Sequence, residues 1–317
     1  MKIEDMKIAV VGAGIMGQGI ALSFALAGFS VKVVDMNNQV LEKAMAQAEV
    51  DLKLFEEQGF LDSKPAVVRS RLTTGIGLAA ATGDCDFVVE AVTEILKLKK
   101  ELFARLEGFC PEDTILSSNT SSLRISDIVE GLRNPGRVIG THFFNPAHIM
   151  PLVEIIPAPH QTTEKVLDIT KQLMEKIGKK AIIVRKEVPG FVVNRITSAI
   201  HREVHYMVQE GIATPEEIDI ATRASLGLRY AWMGPFKISD LAGLDTGILV
   251  GEQLYKTLDN STEPPQILRD KVKKGELGVK SGKGWYDYTG RSKEQILAER
   301  NRKLLQQLVL IKAHSKE

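Results

Sequence analysis

Sorted into apolar and polar positions, the chain begins with a short apolar run, Lys7 to Val11, that ends in glycines and reads as a buried parallel strand. A helical stretch from Met16 to Leu26 follows, closed by Gly28, and Val31 to Val34 forms a second strand ending at Asp35. Residues Gln39 to Gln58 carry long helix formers and Gly59 stops them. Further strands are predicted at Phe87 to Glu90, Thr114 to Ser117, Val138 to His142, Leu152 to Ile156 and Ala181 to Val184. Helical stretches separate most of them, notably Leu96 to Glu107 and Thr163 to Ile177. Strand–helix alternation of this kind predicts an α/β domain, a doubly wound and mainly parallel sheet with helices on both faces.

The pattern changes near Pro189. From Phe191 onward the only strand signal is the aromatic run Trp285 to Tyr288. Thr214 reads as an N-cap, with Pro215 at the first helical position and Glu217 completing a capping box; Gly227 is expected to end that helix. Lys293 to Lys312 reads as a last amphipathic helix. Two domains follow: an α/β domain over residues 1–187 and an all-helical one over 188–317.

Composition bears on what the chain acts upon. Its 317 residues suit two domains, and 44% hydrophobic with 26% charged residues is a globular balance. The net charge of +1 supplies no global field for nucleic acid or anionic lipid. The start of the chain carries no charged-then-apolar signal region, and no apolar run reaches the length of a membrane span, so a cytoplasmic protein is expected. Cys85 and Cys110 match no metal or redox spacing and are expected reduced in a core.

The first chemistry lies at Gly12, Gly14 and Gly17, a Gly-x-Gly-x-x-Gly set between a strand and a helix. The first glycine permits a tight turn, the second lets backbone approach a pyrophosphate, and the third lets helix pack on strand. The helix start then offers free N–H groups and a partial positive charge to the phosphates. Asp35, at the end of the next strand, would accept hydrogen bonds from the adenosine ribose and repel a 2′-phosphate, which favours NAD over NADP. The same turn also fits a Rossmann-like domain that binds another nucleotide, or none.

Of the six histidines, His201 and His205 sit one helical turn apart, but Arg202 stands where a metalloprotease helix needs Glu and no third ligand is apparent. His148, His160 and His314 lack suggestive company. His142 differs, because it ends an apolar strand, where open α/β sheets place their ligands. Twelve residues later Glu154 interrupts the apolar run Leu152 to Ile156. A carboxylate among buried neighbours needs a partner. The simplest one is His142, a suitable base for an alcohol proton. On spacing alone, either residue is equally explained as a satisfied core polar group.

These motifs together resemble the L-3-hydroxyacyl-CoA dehydrogenase family. The matching stretches are VVGAGIMGQGIA from Val10, VVEAVTEILKLKKELF from Val88, SSNTSSL from Ser117, THFFNP from Thr141, LVEII from Leu152, PGFVVNRI from Pro189 and LGVKSGKGWYDY from Leu277. The resemblance implies an NAD-dependent enzyme with a Rossmann domain and a helical domain that makes a homodimer. It implies His142 as general base, Glu154 as its orienting partner, and Ser121 and Asn194 as hydrogen-bonding groups for the substrate oxygen. It also implies Glu94, Lys99 and Asn145 at the ribose and nicotinamide end of the cofactor, with Ile15, Met16 and Asn119 among its contacts.

Departures from that family concern substrate more than chemistry. Its acyl-CoA members usually carry a lysine-rich helical hairpin after the second strand. Here Val50 to Asp62 holds only Lys53, against Asp51, Glu56, Glu57 and Asp62, which would repel a CoA phosphate. Pro151 stands where lysine is frequent, and SLGLRYAWMGP from Ser225 looks more like the lambda-crystallin and gulonate dehydrogenase branch. In that reading Arg229 would grip a free carboxylate of the substrate, or be an interface or surface arginine. Three readings result: oxidation of a short-chain 3-hydroxyacyl-CoA or its reverse, the same chemistry on a hydroxy acid without CoA, and a non-catalytic NAD-binding or crystallin-like protein. The first is favoured. Phe143, Phe144 and Trp232 are candidate walls of an acyl pocket.

Overall fold

The computed structural model describes residues 2–314, with side chains in the last helix as far as Ile311. The chain divides into two compact units after Arg195. The first is built in chain order from β1 (Ile8–Val11), α1 (Ile15–Leu26), β2 (Val31–Val34), α2 (Asn38–Glu57), β3 (Leu72–Gly75), β4 (Phe87–Glu90) and α3 (Leu96–Phe109). It continues with β5 (Ile115–Ser118), β6 (Val138–Phe143), β7 (Leu152–Pro157), α4 (Glu164–Lys176) and β8 (Lys180–Ile183).

The eight strands form one sheet in the order β3-β2-β1-β4-β5-β6-β7-β8. Every neighbouring pair is parallel except β6 and β7. Successive side chains of a strand leave opposite faces. Ile8 and Val10 of β1 therefore join an apolar cluster with Ile20, Phe24, Leu41 and Leu173, while Ala9 and Val11 join one with Leu102, Phe103 and Leu106. Phe24, Phe87 and Phe103 are wholly buried, each contributing about 1.5–3 kcal/mol on transfer. The strand order reverses between β1 and β4, so their carboxyl ends, with Val11 opposite Glu90, bound the crevice where such sheets bind ligands.

The structure departs from the sequence expectations in several places. β3 was not foreseen, because it is an edge strand with only Leu72 buried and too little apolar patterning to register. The last residues of the first unit, up to Arg195, open the helix Val193–Gln209 (α5), and the N–H groups of Val192 and Val193 there donate to Glu154. Asp51 is not a surface acid. It is buried on α2, accepts from Gln47 at 3.1 Å, and lies 3.6 Å from the His148 imidazole, so His148 does have company. Cys85 and Cys110 are free and buried as expected, with burial pushing the Cys85 thiol up to about 11.

In the second unit Thr214 and Glu217 form the foreseen capping box ahead of Pro215–Ala221. Gly227 does not end that helix. It keeps right-handed helical angles inside a π-turn, Thr222–Gly227, and the helix runs on through Leu228–Tyr230. The aromatic run at Trp285 makes two isolated bridges, Gly278 with Lys283 and Lys283 with Asp287, rather than a strand. His201 stacks on His205 at 5.8 Å and His205 on Trp285 at 5.3 Å, a packed aromatic column. Among the described residues no cluster has three or more metal-ligating side chains. No helix there is long and apolar enough to cross a membrane. The side chain of His314 lies outside the described residues.

Behind the end of β6, Lys179 is buried and donates from Nζ to the carbonyls of Ala147 at 2.6 Å and Met150 at 2.9 Å. It thereby pins the segment that joins β6 to β7. Burial pushes its pKa from 10.5 down to about 8, so between those pH values the unfolded chain binds a proton that the folded one does not. Stability contributed by this group must rise with pH across that window. In denaturant titrations, wild type should gain up to about 3 kcal/mol on Lys179→Met between pH 8 and 10.5. A pH-independent difference would contradict the assignment.

Candidate active site

At the end of β1 the backbone turns at Gly12, whose φ of +100° disfavours any side chain. A Cβ there would meet the Ala91 carbonyl oxygen at 2.6 Å, and one at Gly17 would meet the Gly12 oxygen at 1.7 Å. Gly14 faces open space and precedes the first turn of α1, where Ile15 is exposed and Met16 half-buried. The three glycines thus divide the work as their spacing implies: two for close packing, one to leave room. Asp35 accepts from the backbone N–H of Ala13 at 2.9 Å and of Asn37 at 3.1 Å, which fixes its carboxylate beside the same turn. An open glycine at a helix start with a fixed acid beside it fits a dinucleotide, the pyrophosphate on the helix and the ribose on Asp35.

The second cluster is organised by strand register. The antiparallel pairing of β6 and β7 sets His142 directly opposite Glu154, and their Nδ1 and Oε2 atoms are 2.7 Å apart. The other oxygen of Glu154 accepts from the backbone N–H groups of Val192 at 3.0 Å and Val193 at 2.9 Å, at the start of α5. Burial pushes the Glu154 carboxyl up, but the His142 hydrogen bond and these two N–H groups outweigh it and hold it below the usual range. Glu154 is therefore ionised and accepts from Nδ1, an orientation that directs Nε2 of His142 away from the carboxylate. Phe191 packs its ring 5.7 Å from the imidazole, at a φ of +50° that costs a bulky residue about 1–3 kcal/mol. The chain tolerates it because Glu154 clamps the next two N–H groups. The Phe144 ring centroid lies 4.5 Å from that of the imidazole.

Asn194 follows on α5, and its amide donates to the backbone carbonyl of Ser121 at 3.1 Å. The exposed Ser121 is in turn held by Glu94, whose Oε1 accepts from the N–H of Ser121 at 2.8 Å, the N–H of Ser122 at 3.1 Å and the hydroxyl of Thr120 at 2.5 Å. Burial alone would raise the Glu94 pKa, yet these donors and the Lys99 charge bring it below the usual range. His142, Glu154, Asn194, Ser121 and Glu94 are thus brought together. Asn119 is buried, with its Oδ1 accepting from the Phe143 N–H at 2.8 Å, and Asn145 is exposed just beyond β6.

Two further expected residues, Lys99 and Arg229, have polar partners of their own. Lys99 has no exposed surface. Its ammonium lies between Glu90 at 2.6 Å and Glu94 at 3.2 Å, which joins it to the Glu94 side of the cluster. Arg229 belongs to the second unit, where it donates to the carbonyl and hydroxyl of Ser225, one helical turn back. Phe143 is a core residue and forms no pocket wall. Sequence reading missed Glu90, although it ends an apolar strand in the same way that Glu154 interrupts one.

Residues 7–188 match the family described as 3-hydroxyacyl-CoA dehydrogenase, NAD binding domain, and residues 190–288 match 3-hydroxyacyl-CoA dehydrogenase, C-terminal domain. The chain is 41% identical to a probable 3-hydroxybutyryl-CoA dehydrogenase of Bacillus subtilis, over 90% of this chain and 98% of that one. It is similar to the crystal structure of an NAD-dependent 5-formyl-3-hydroxy-2-methylpyridine 4-carboxylic acid 5-dehydrogenase, with 30% identity, a TM-score of 0.90, and 97% and 99% of the two chains covered. It is also similar to (S)-3-hydroxybutyryl-CoA dehydrogenase from Ralstonia eutropha, with 35% identity, a TM-score of 0.73, and 90% and 99% covered.

Because nothing lies within 4 Å of a Cβ at Gly14, Gly14→Val should fold with a melting temperature near wild type. The same side chain would fill the space left for the pyrophosphate, so NADH affinity should fall at least about tenfold in a fluorescence titration. Unchanged NADH binding would remove this turn as the cofactor cradle.

Proposed function

The chain belongs to the 3-hydroxyacyl-CoA dehydrogenase family, and on that premise we propose that it oxidises the hydroxyl carbon of a short-chain L-3-hydroxyacyl-CoA to the 3-oxo thioester, or runs the reverse reaction, with His142 as the proton-transferring base. The observation that carries this is the His142–Glu154 hydrogen bond of 2.7 Å, with the second Glu154 oxygen anchored on backbone N–H groups. NAD, when bound on the Gly12–Gly17 turn beside Asp35, supplies the acceptor for the departing hydride. His142 takes the hydroxyl proton at Nε2, and Glu154 holds the ring in that tautomer and stabilises the imidazolium. Ser121 and Asn194 supply hydrogen bonds to the substrate oxygen as its charge develops.

A second reading has a specific observation behind it. The TM-score is 0.90 with the pyridine carboxylate dehydrogenase and 0.73 with the hydroxybutyryl-CoA enzyme. In the α2 hairpin Glu56, Glu57 and Asp62 are exposed beside the single base Lys53, a poor neighbour for a CoA phosphate. In this reading the substrate is a compact hydroxy acid or aldehyde with a free carboxylate, and Arg229, which spends two of its five donors on Ser225, keeps three donors of the kind that recognise a carboxylate.

We also propose that a second copy of the chain covers the helices Pro235–Ala242 and Leu244–Leu254, where Phe236 is 87% exposed and Leu241, Leu244, Ile248 and Leu249 are all more than half exposed. Light scattering should give twice the chain mass, and Leu249→Glu should reduce it. A monomeric wild type would contradict the assignment.

Absorbance of NADH with acetoacetyl-CoA, acetoacetate, gulonate and 5-formyl-3-hydroxy-2-methylpyridine 4-carboxylate separates the substrate readings. Oxidation or reduction confined to the thioester supports the first reading, and activity confined to the free acids overturns it. With whichever substrate turns over, His142→Ala should lower kcat by about 100- to 10,000-fold and leave NAD affinity unchanged. Wild-type turnover in that variant would exclude His142 as the base.

A further inference from the structure

We propose that Glu90, a residue outside the substrate-contacting set, is a positioning residue for the reaction. It pairs with Lys99 beneath the sheet's crevice, and the pair holds Glu94, and through Glu94 the Ser121 loop, in place to receive the substrate oxygen. The proposal rests on the role given above to Ser121.

Glu90 is the last residue of β4, in register with Val11 on one side and Ser118 on the other. Its side chain and that of Lys99 are both 0% exposed. One oxygen of Glu90 accepts from Lys99 at 2.6 Å and from the Val92 N–H at 2.8 Å, and the other accepts from the Ser118 hydroxyl at 2.6 Å. The lysine is therefore held on one side by a carboxylate that is itself hydrogen-bonded at both oxygens. It also attracts Glu94, which is about a third exposed and has water as an alternative partner. The remaining oxygen of Glu94 gathers Thr120, Ser121 and Ser122.

A structural role alone does not require charge at these two positions. A buried ion pair is often replaceable by apolar side chains of similar volume at no cost to folding. Without an ammonium at 99, Glu94 would lose its only ion-pair partner among the described residues and be free to turn to water. The Ser121 and Ser122 N–H groups would go with it. Removing Glu90 alone would leave Lys99 with a single partner that is about a third exposed. The charge thus matters for where Glu94 points, and Glu94 for where Ser121 sits.

The test is a double-mutant cycle on kcat/KM. Glu90→Gln/Lys99→Met removes both charges, while the glutamine can still bond the Val92 N–H and the Ser118 hydroxyl. It should retain cooperative thermal unfolding and lose at least about tenfold in kcat/KM in the wild-type background. In a Ser121→Ala background the same pair of changes should cost no more than about twofold, since the group it positions is already gone. Equal losses in both backgrounds would show that Glu90 does not act through Ser121 and overturn the proposal. If Ser121→Ala itself keeps wild-type kcat/KM, the reading of Ser121 fails, and the proposal falls with it. Should the charge-free pair not fold, Glu90→Asp keeps the charge but withdraws it by one methylene, and the same comparison of backgrounds applies.

Discussion

The candidate site depends on one carboxylate at a crossing. Glu154 gives one oxygen to His142 across the β6–β7 ladder and the other to the first N–H groups of α5. Those N–H groups have no partner within their own helix, so an anion there is favoured by both hydrogen bonding and the helix dipole. The same contact orients an imidazole and seats the helix that carries Asn194. It also explains a backbone cost, since the positive φ of the buried Phe191 is sustained where two clamped N–H groups follow it.

Buried charge is used twice in this sheet, with different chemistry. Glu154 is paired with a titratable ring and with amides, an arrangement that lets a proton move without moving the carboxylate. Glu90 is paired with a lysine that has no access to water, an arrangement suited to holding geometry. Both acids sit at strand positions next to the sheet's carboxyl-end crevice or its antiparallel extension. From Ser118 through Glu90, Lys99, Glu94, Ser121 and Asn194, polar contacts run unbroken from two strand ends into α5.

Much of this was legible in the sequence, because it rests on local signals. The glycine spacing at 12, 14 and 17 between a strand and a helix states its packing constraints residue by residue. A glutamate inside the apolar run 152–156 announces a buried partner. What sequence could not supply was the antiparallel register that puts His142 opposite Glu154, since spacing does not distinguish a hairpin from a crossover. The burial of Lys99 and Asp51 was likewise hidden, as each looks like a solvated charge on an amphipathic helix until its tertiary partners are known. Gly227 shows the converse. A glycine read as a terminator is carried through a helix by a π-turn that no local pattern marks.

The central claim is geometric: the lone pair on Nε2 of His142 meets the substrate oxygen while the hydroxyl carbon faces the nicotinamide. A crystal structure with NAD and the active substrate measures this directly. The account predicts that oxygen within about 3.2 Å of Nε2, with Ser121 and Asn194 as its neighbours. An imidazole separated from the substrate oxygen by the width of a side chain, with another base in its place, would contradict it.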